Sequence, residues 1–360
     1  MPLRLQHQPF PASKPSRRCR HYPRGARHWR PCGSKDLTVM IPDVIDVHAH
    51  FTPPTTPEER EARWHAMREA QFLAPEPYQW TVDGTLDYMD RAGVAMQLLS
   101  NIPKTPDALR ASNDYGASVV ADHPARFGLL AALPTDDPAV ALAEIERASS
   151  ELHADGFAVT CHYNGVYLGD ASLEPVWAEL DRRGSTVFAH PDAYAAASMG
   201  RPSPLLEVAF ETARTVIDML YADIFRRFPN MRLIVAHCGG ALPALSGRLH
   251  LLGTEAWVPN PNGLTQSEIR DHLARLYLDT AATGTIHTLA PALAMTSPEH
   301  IVYGSDSGVP CSTEHTLETN RHAVADFTGL PRDQLEAIGR NALPLFPRAA
   351  ARVGRQVTTA

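Results

Sequence analysis

Short apolar runs, each four to seven residues long, recur along the chain with longer amphipathic stretches between them. The runs are Ile41–Val47, Val94–Ser100, Phe127–Leu133, Gly156–Thr160, Thr186–His190, Leu233–His237, Leu276–Thr280 and Ile301–Gly304. They are too short for helices and rich in Val, Ile, Leu and Ala, so each reads as a buried strand. Helical periodicity fills the gaps at Thr85–Arg91, Ala108–Asp122, Pro138–Leu152, Leu173–Arg183, Leu205–Phe228 and Ile286–Met295. Eight alternating β and α units over roughly 300 residues predict a (β/α)8 TIM barrel. A doubly wound sheet is the second choice. It would carry a Gly-rich phosphate turn after its first strand, and none is present.

One connection is unusual. Residues 51–82 are longer than a normal βα loop and hold Pro53, Pro54, Pro57, Pro75 and Pro77 among Trp64, Phe72, Tyr78 and Trp80. We read this insertion as a lid over the C-terminal strand ends. An outer helix, Glu58–Gln71, packed on the barrel wall is the other reading.

Composition sets the outer bounds. The chain has 360 residues, 44% hydrophobic and 20% charged, enough for one large core. No apolar run approaches the ~20 residues that span a bilayer. A net charge of −7 points away from nucleic acid as a partner. The five cysteines, Cys19, Cys32, Cys161, Cys238 and Cys311, form no Cys-x-x-Cys pair. Such a sparse, odd set predicts free thiols in a reducing, cytoplasmic compartment. Cys238 and Cys311 are read as structural.

Residues 1–39 differ from the rest. Nine Lys or Arg face one acid, Asp36, in a Pro-rich stretch without an apolar core, so it is not read as a secretory signal. The expected domains are a basic, disordered tail over 1–39, a barrel over 40–350 and a C-terminal tail over 351–360. Met40 stands directly before the first strand and is an alternative start of translation.

Chemistry gathers where the strands end. His48 and His50 follow the first strand as His-x-His, and residues i and i+2 of a strand point the same way. His190 closes strand five, His237 closes strand six before Gly239-Gly240, and Asp306 follows strand eight. Any one histidine is adequately explained as a satisfied buried side chain. Five such residues at C-terminal strand ends, which share one mouth in a barrel, are not. His48, His50, His190 and Asp306 make a donor set suited to one divalent ion, Zn²⁺ first, with Mn²⁺, Co²⁺ or Fe²⁺ also compatible. His237 stands beside it as general acid/base or electrophile. Strand four ends Thr160-Cys161-His162 without the Lys that bridges two ions in binuclear barrels, so one ion is expected. His162 and Tyr163 are placed facing the substrate.

These motifs give the chain its resemblance. Asp46-Val47-His48-Ala49-His50, Met89-Asp90-Arg91-Ala92-Gly93-Val94, His123-Pro124-Ala125-Arg126-Phe127-Gly128, Phe188-Ala189-His190-Pro191, Ala236-His237-Cys238-Gly239-Gly240 and Tyr303-Gly304-Ser305-Asp306 resemble the amidohydrolase superfamily in its decarboxylase-like branch. The likeness spans about Ile41 to Pro347. Tyr167-Leu168-Gly169 and Glu211-Thr212-Ala213-Arg214 are most similar to 6-methylsalicylate decarboxylases. The resemblance implies an amidohydrolase-type barrel, one ion on His48, His50, His190 and Asp306, a catalytic His237, and loss of CO2 from a small aromatic or unsaturated acid. Aminocarboxymuconate enzymes carry an Arg before the Met-Asp pair. Here Thr85-Leu86-Asp87-Tyr88 has none, which argues against a muconate. Arg214 is the alternative carboxylate binder, with a helix-surface ion pair to Glu211 or Asp218 as its other reading.

The leading expectation is therefore a metal-dependent decarboxylase of an ortho-hydroxybenzoate-like acid, with Asp306 or His237 supplying the proton. A mononuclear hydrolase of a lactone, ester or amide shares the same ligands and comes second. A metal-holding protein without catalysis comes third. A homodimer through Leu205–Phe228 is compatible with the pattern, as is plain core packing of that segment.

Overall fold

A computed structural model of the chain describes residues 44–192, 196, 198–282 and 286–353. The basic segment 1–39, Met40 and the first three residues of the expected opening strand lie outside them. Eight parallel strands follow one another in sequence order: β1 (Val44–His50), β2 (Val94–Ser100), β3 (Phe127–Ala132), β4 (Gly156–Thr160), β5 (Thr186–His190), β6 (Arg232–Val235), β7 (Tyr277–Asp279) and β8 (Ile301–Val302). The two ends of this sheet meet. Val47 N donates to Tyr303 O at 2.9 Å, His50 N donates to Ser307 O at 2.8 Å, and Asp306 N donates to His48 O at 2.8 Å. The segment leaving β8 thus pairs with β1, and the sheet closes as the expected barrel.

Alternation along the strands sorts the core into an inside and an outside. Ile45, Val47, Met96, Leu98, Leu130, Ala158, Phe188, Ile234 and Val302 form one buried cluster. Leu99, Phe127, Leu129, Val159, Val187, Leu233 and Leu278 pack the other way, with helix residues such as Trp177 and Met219. Leu345 and Phe346 belong to the inner cluster and plug the N-terminal end. Thr186 Oγ1, at the start of β5, donates to Leu345 O at 2.8 Å.

The first strand breaks its own alternation. Its register with β2 shifts between Asp46 and Ala49, a β-bulge. Val47 therefore joins the inner cluster while His48 and His50, one step out of phase, face the mouth. Asp46 braces the bulge from behind. Its Oδ1 accepts from His48 N at 3.1 Å and Ser305 N at 3.0 Å, and its Oδ2 accepts from Ser305 Oγ at 2.6 Å and Gln97 Nε2 at 2.9 Å. Burial still pushes the Asp46 carboxyl up to about 6. Gly308 completes the seam at φ +90°, where a Cβ would lie 1.9 Å from His50 O.

Four elements differ from the expected pattern in bounds, packing or presence. The insertion after β1 contains a helix, Pro57–Glu69, closed by a Thr56–Glu59 capping box, with only Met67 buried. A helix packed on the wall would bury a full stripe, so this element stands off the barrel. Trp80 and Phe51, 6.1 Å apart, fasten the insertion to the core. The single helix expected over Leu205–Phe228 is divided into Glu207–Tyr221 and Ile224–Arg227, because Asp223 takes φ 65°. A hairpin, His162–Tyr163 with Val166–Tyr167, rises beyond β4. Its Asn164-Gly165 turn has φ 49° and 92°, the signature of a tight hairpin that the sequence carried openly. The C-terminal helix Pro347–Val353 enters the stretch read as a tail, of which 354–360 lie outside the described residues.

Candidate metal centre

β1, β5, the turn after β6 and the turn after β8 bring His48, His190, His237 and Asp306 together. One ligand atom from each lies within 4.8 Å of all the others. His50 joins them, its Nε2 3.0 Å from His48 Nε2. Asp306 Oδ1 lies 3.3 Å from both of those nitrogens, and its Oδ2 lies 3.7 Å from His237 Nε2. Around a tetrahedral ion with bonds of about 2.0–2.2 Å, neighbouring ligand atoms lie roughly 3.3–3.6 Å apart. The His48, His50 and Asp306 spacing approaches that geometry.

The far side of each ring is equally informative. His48 Nδ1 lies 2.6 Å from Asp279 Oδ2, His50 Nδ1 lies 3.3 Å from Ser100 O, and His190 Nδ1 lies 2.7 Å from Pro191 O. Each acceptor fixes the proton on Nδ1 and turns the Nε2 lone pair inward, as metal-ligating histidines require. His190 Nε2 is buried with no partner among the described residues. A buried acceptor without a donor is costly, and a cation would satisfy it. His237 is built differently. Its Nδ1 is buried without a partner among the described residues, and its Nε2 faces Asp306.

Electrostatics follows from this crowding. Burial lowers the pKa of His50 and, helped by the other imidazoles, takes His190 well below its ordinary value. Burial opposes charge on His48 too, but Asp279 and Asp306 outweigh it and raise the ring to about 10. Burial opposes charge on Asp306, yet His237, His48 and His50 hold its carboxyl well below the usual range. The site is thus a carboxylate among clustered imidazoles, two of which, His50 and His190, are held neutral, and such a donor set fits a divalent ion.

Backbone strain is concentrated here. His237 and Cys238 both have φ 54° and Asp306 has φ 62°, left-handed values rare for non-glycine residues. β6 ends at Val235, so His237 is delivered by this turn and not by a strand. A Cβ on Gly240 would lie 2.4 Å from Ala209 O, so the turn packs backbone to backbone on the helix Glu207–Tyr221.

His162 lies at the same end of the barrel, on the hairpin beyond β4. Its Nδ1 is 2.6 Å from Glu211 Oε1, and its ring stacks on Tyr167 at 5.2 Å. Arg214 is not drawn into the cluster. Its side chain is 65% exposed, 3.8 Å from Glu207 and over the ring of Phe210. Cys238 and Cys311 remain thiols, since burial raises both. Sequence reasoning missed Asp279. It closes β7, is fully buried, and also accepts from Cys238 N and Ala281 N through Oδ1. The strand-end rule that found the histidines applied to it equally. It missed Glu211 as well, which was assigned to a helix-surface pair.

Known proteins agree with this architecture. The amidohydrolase family model matches residues 45–348. The 6-methylsalicylic acid decarboxylase acuB of Aspergillus aculeatus is 33% identical over 324 residues, covering 84% of this chain and 96% of its own length. The crystal structure of 5-carboxyvanillate decarboxylase from Sphingomonas paucimobilis superposes with TM-score 0.70 at 23% identity, over 85% of this chain and 99% of that one. A manganese-bound dihydroxybenzoic acid decarboxylase from a Polaromonas species gives TM-score 0.68 at 22% identity, over 85% and 97%. These two show the shared fold. No helix among the described residues is long and apolar enough to cross a membrane. From its closed eight-stranded barrel, the histidine–aspartate cluster at the mouth and the match along 45–348, the chain belongs to the amidohydrolase family.

Proposed function

We propose that this protein is a metal-dependent, non-oxidative carboxy-lyase of a small ortho-hydroxy aromatic acid, 6-methylsalicylate-like. One observation carries the assignment of roles. Three imidazoles, His48, His50 and His190, have Nδ1 committed to an oxygen, whereas His237 does not. The first three, with Asp306, are the ligands, and His237 is the residue free to exchange a proton. The preference for a lyase over a hydrolase rests on the relatives, chiefly the 6-methylsalicylic acid decarboxylase that aligns with 84% of the chain.

The residues divide the work as follows. His48, His50, His190 and Asp306 would hold one divalent ion, Zn²⁺ before Mn²⁺, which when bound would supply Lewis-acid chemistry at the mouth. His237 Nε2 and Asp306 Oδ2, 3.7 Å apart, form the pair through which a proton reaches the ring carbon bearing the carboxylate. The bond to the carboxylate then breaks, its electron pair returns to the ring, and CO2 leaves. The barrel mouth fixes the acid relative to this pair, so chemistry proceeds without a redox partner. The buried Cys161 and Cys238 thiols are in keeping with a reducing cytoplasm.

The test couples metal content to CO2 release from a hydroxybenzoate panel. About one ion per chain, with CO2 released and activity lost on chelation, is the expected result. One ion without CO2 from any acid turns the assignment to hydrolysis of a lactone, ester or amide. No ion after reconstitution removes the assignment altogether.

A further inference from the structure

A second polar cluster stands just beyond His190, and the reaction described above does not use it. Thr160 pairs in register with His190, and Cys161 N donates to His190 O at 2.8 Å. Two residues farther along these chains come His162 and Asp192. Both lie just past the C-terminal ends of β4 and β5, on the mouth side of His190. Glu211 joins the two. Its Oε1 takes His162 Nδ1 at 2.6 Å and its Oε2 accepts from Asp192 N at 2.7 Å. Glu211 is buried, while the His162 side chain keeps 26% of its surface open.

We infer that His162 is a specificity-determining residue, hydrogen-bonded to a hydroxyl on the ring edge remote from the substrate carboxylate. This rests on the aromatic-acid reading of the site. With Nδ1 held by Glu211, Nε2 is the ring atom turned away from it, and a phenolic hydroxyl, which both donates and accepts, suits that nitrogen. Lys104 Nζ, beside it, is engaged by Asp192 Oδ2 and His162 O, both at 3.2 Å. Tyr167, stacked on the imidazole at an interplanar angle of 21°, gives the subsite a flat aromatic wall. Glu211 acts through His162 and is a positioning residue. The subsite suits an aromatic acid with an additional phenolic hydroxyl.

The experiment compares 2-hydroxybenzoate with 2,4-dihydroxybenzoate on the metal-loaded full chain, by kcat and KM and by calorimetric Kd. One buried hydrogen bond predicts that the second hydroxyl improves KM and Kd by about 10-fold in the native protein. In His162→Leu that ratio collapses to about 1, and in His162→Gln, which keeps an acceptor, part of it returns. The Gln variant also serves if the Leu variant does not fold. A native ratio near 1, or a ratio that survives in His162→Leu, overturns the inference. Should neither acid release CO2, the lyase assignment fails separately, and the Kd ratio alone decides the role of His162. Absence of binding by both acids overturns it.

Discussion

Asp279 is the residue on which the site's precision turns. One oxygen sets the His48 ring and the other holds the backbone of Cys238, next to His237. A proposed ligand and the proposed proton carrier are therefore positioned by the same carboxylate. Asp279→Asn should weaken metal binding about 10–100-fold, as loss of such outer partners does elsewhere. Competition against a chelator measures it, and unchanged affinity would remove Asp279 from the account. Proton release gives a second reading. In the metal-free protein His48 titrates near 10, so at pH 7 it is protonated, while His50 and His190, both lowered, are neutral. A ligating imidazole must be neutral, so metal loading at pH 7 should release about one proton. Calorimetry in buffers of different ionisation enthalpy counts it, and a value near zero contradicts the His48 assignment. The histidines and Asp306 were legible because several strand ends repeated one theme. Asp279 stood at a strand end as they did but was passed over, since a lone acid in Leu276–Thr280 shows its role only once its partner, far away in sequence, is known.

Among elements, the strands announced themselves and the turns did not. Apolar runs between polar segments are a physical consequence of burial on both faces, so all eight strands could be read. The β1 bulge could not, because it answers to Asp46 and the distant Ser305. Nor could the break at Asp223 or the left-handed turn at His237, which tertiary contacts impose. That turn is a place where sequence has little latitude. At Gly240, φ 58° and the contact with Ala209 both exclude a side chain. Gly240→Ala should cost more than ~1 kcal/mol of stability and displace His237, lowering turnover as well. Denaturant titration beside the CO2 assay checks this, and full retention of both would show that the turn can relax.

Across the whole molecule, function and stability occupy opposite ends of one barrel. The proposed ligand atoms sit at the C-terminal strand ends, whereas Phe346 plugs the N-terminal end, close to the first residue of β4. Phe346→Ala should therefore destabilise by about 3–5 kcal/mol while leaving kcat per folded molecule close to native. A thermal melt and active-site-normalised kinetics separate the two. A large fall in kcat would mean that the plug reaches the site. The closing seam has a different consequence, one of timing. His48 and His50 leave the ribosome early, and Asp306, whose backbone N–H pairs with His48 O, leaves near the end. A nascent chain thus holds an incomplete set of the proposed ligands for most of its synthesis. On the proposed assignment, acquisition of the ion follows synthesis of Asp306 and is governed by the free metal around the chain at that moment.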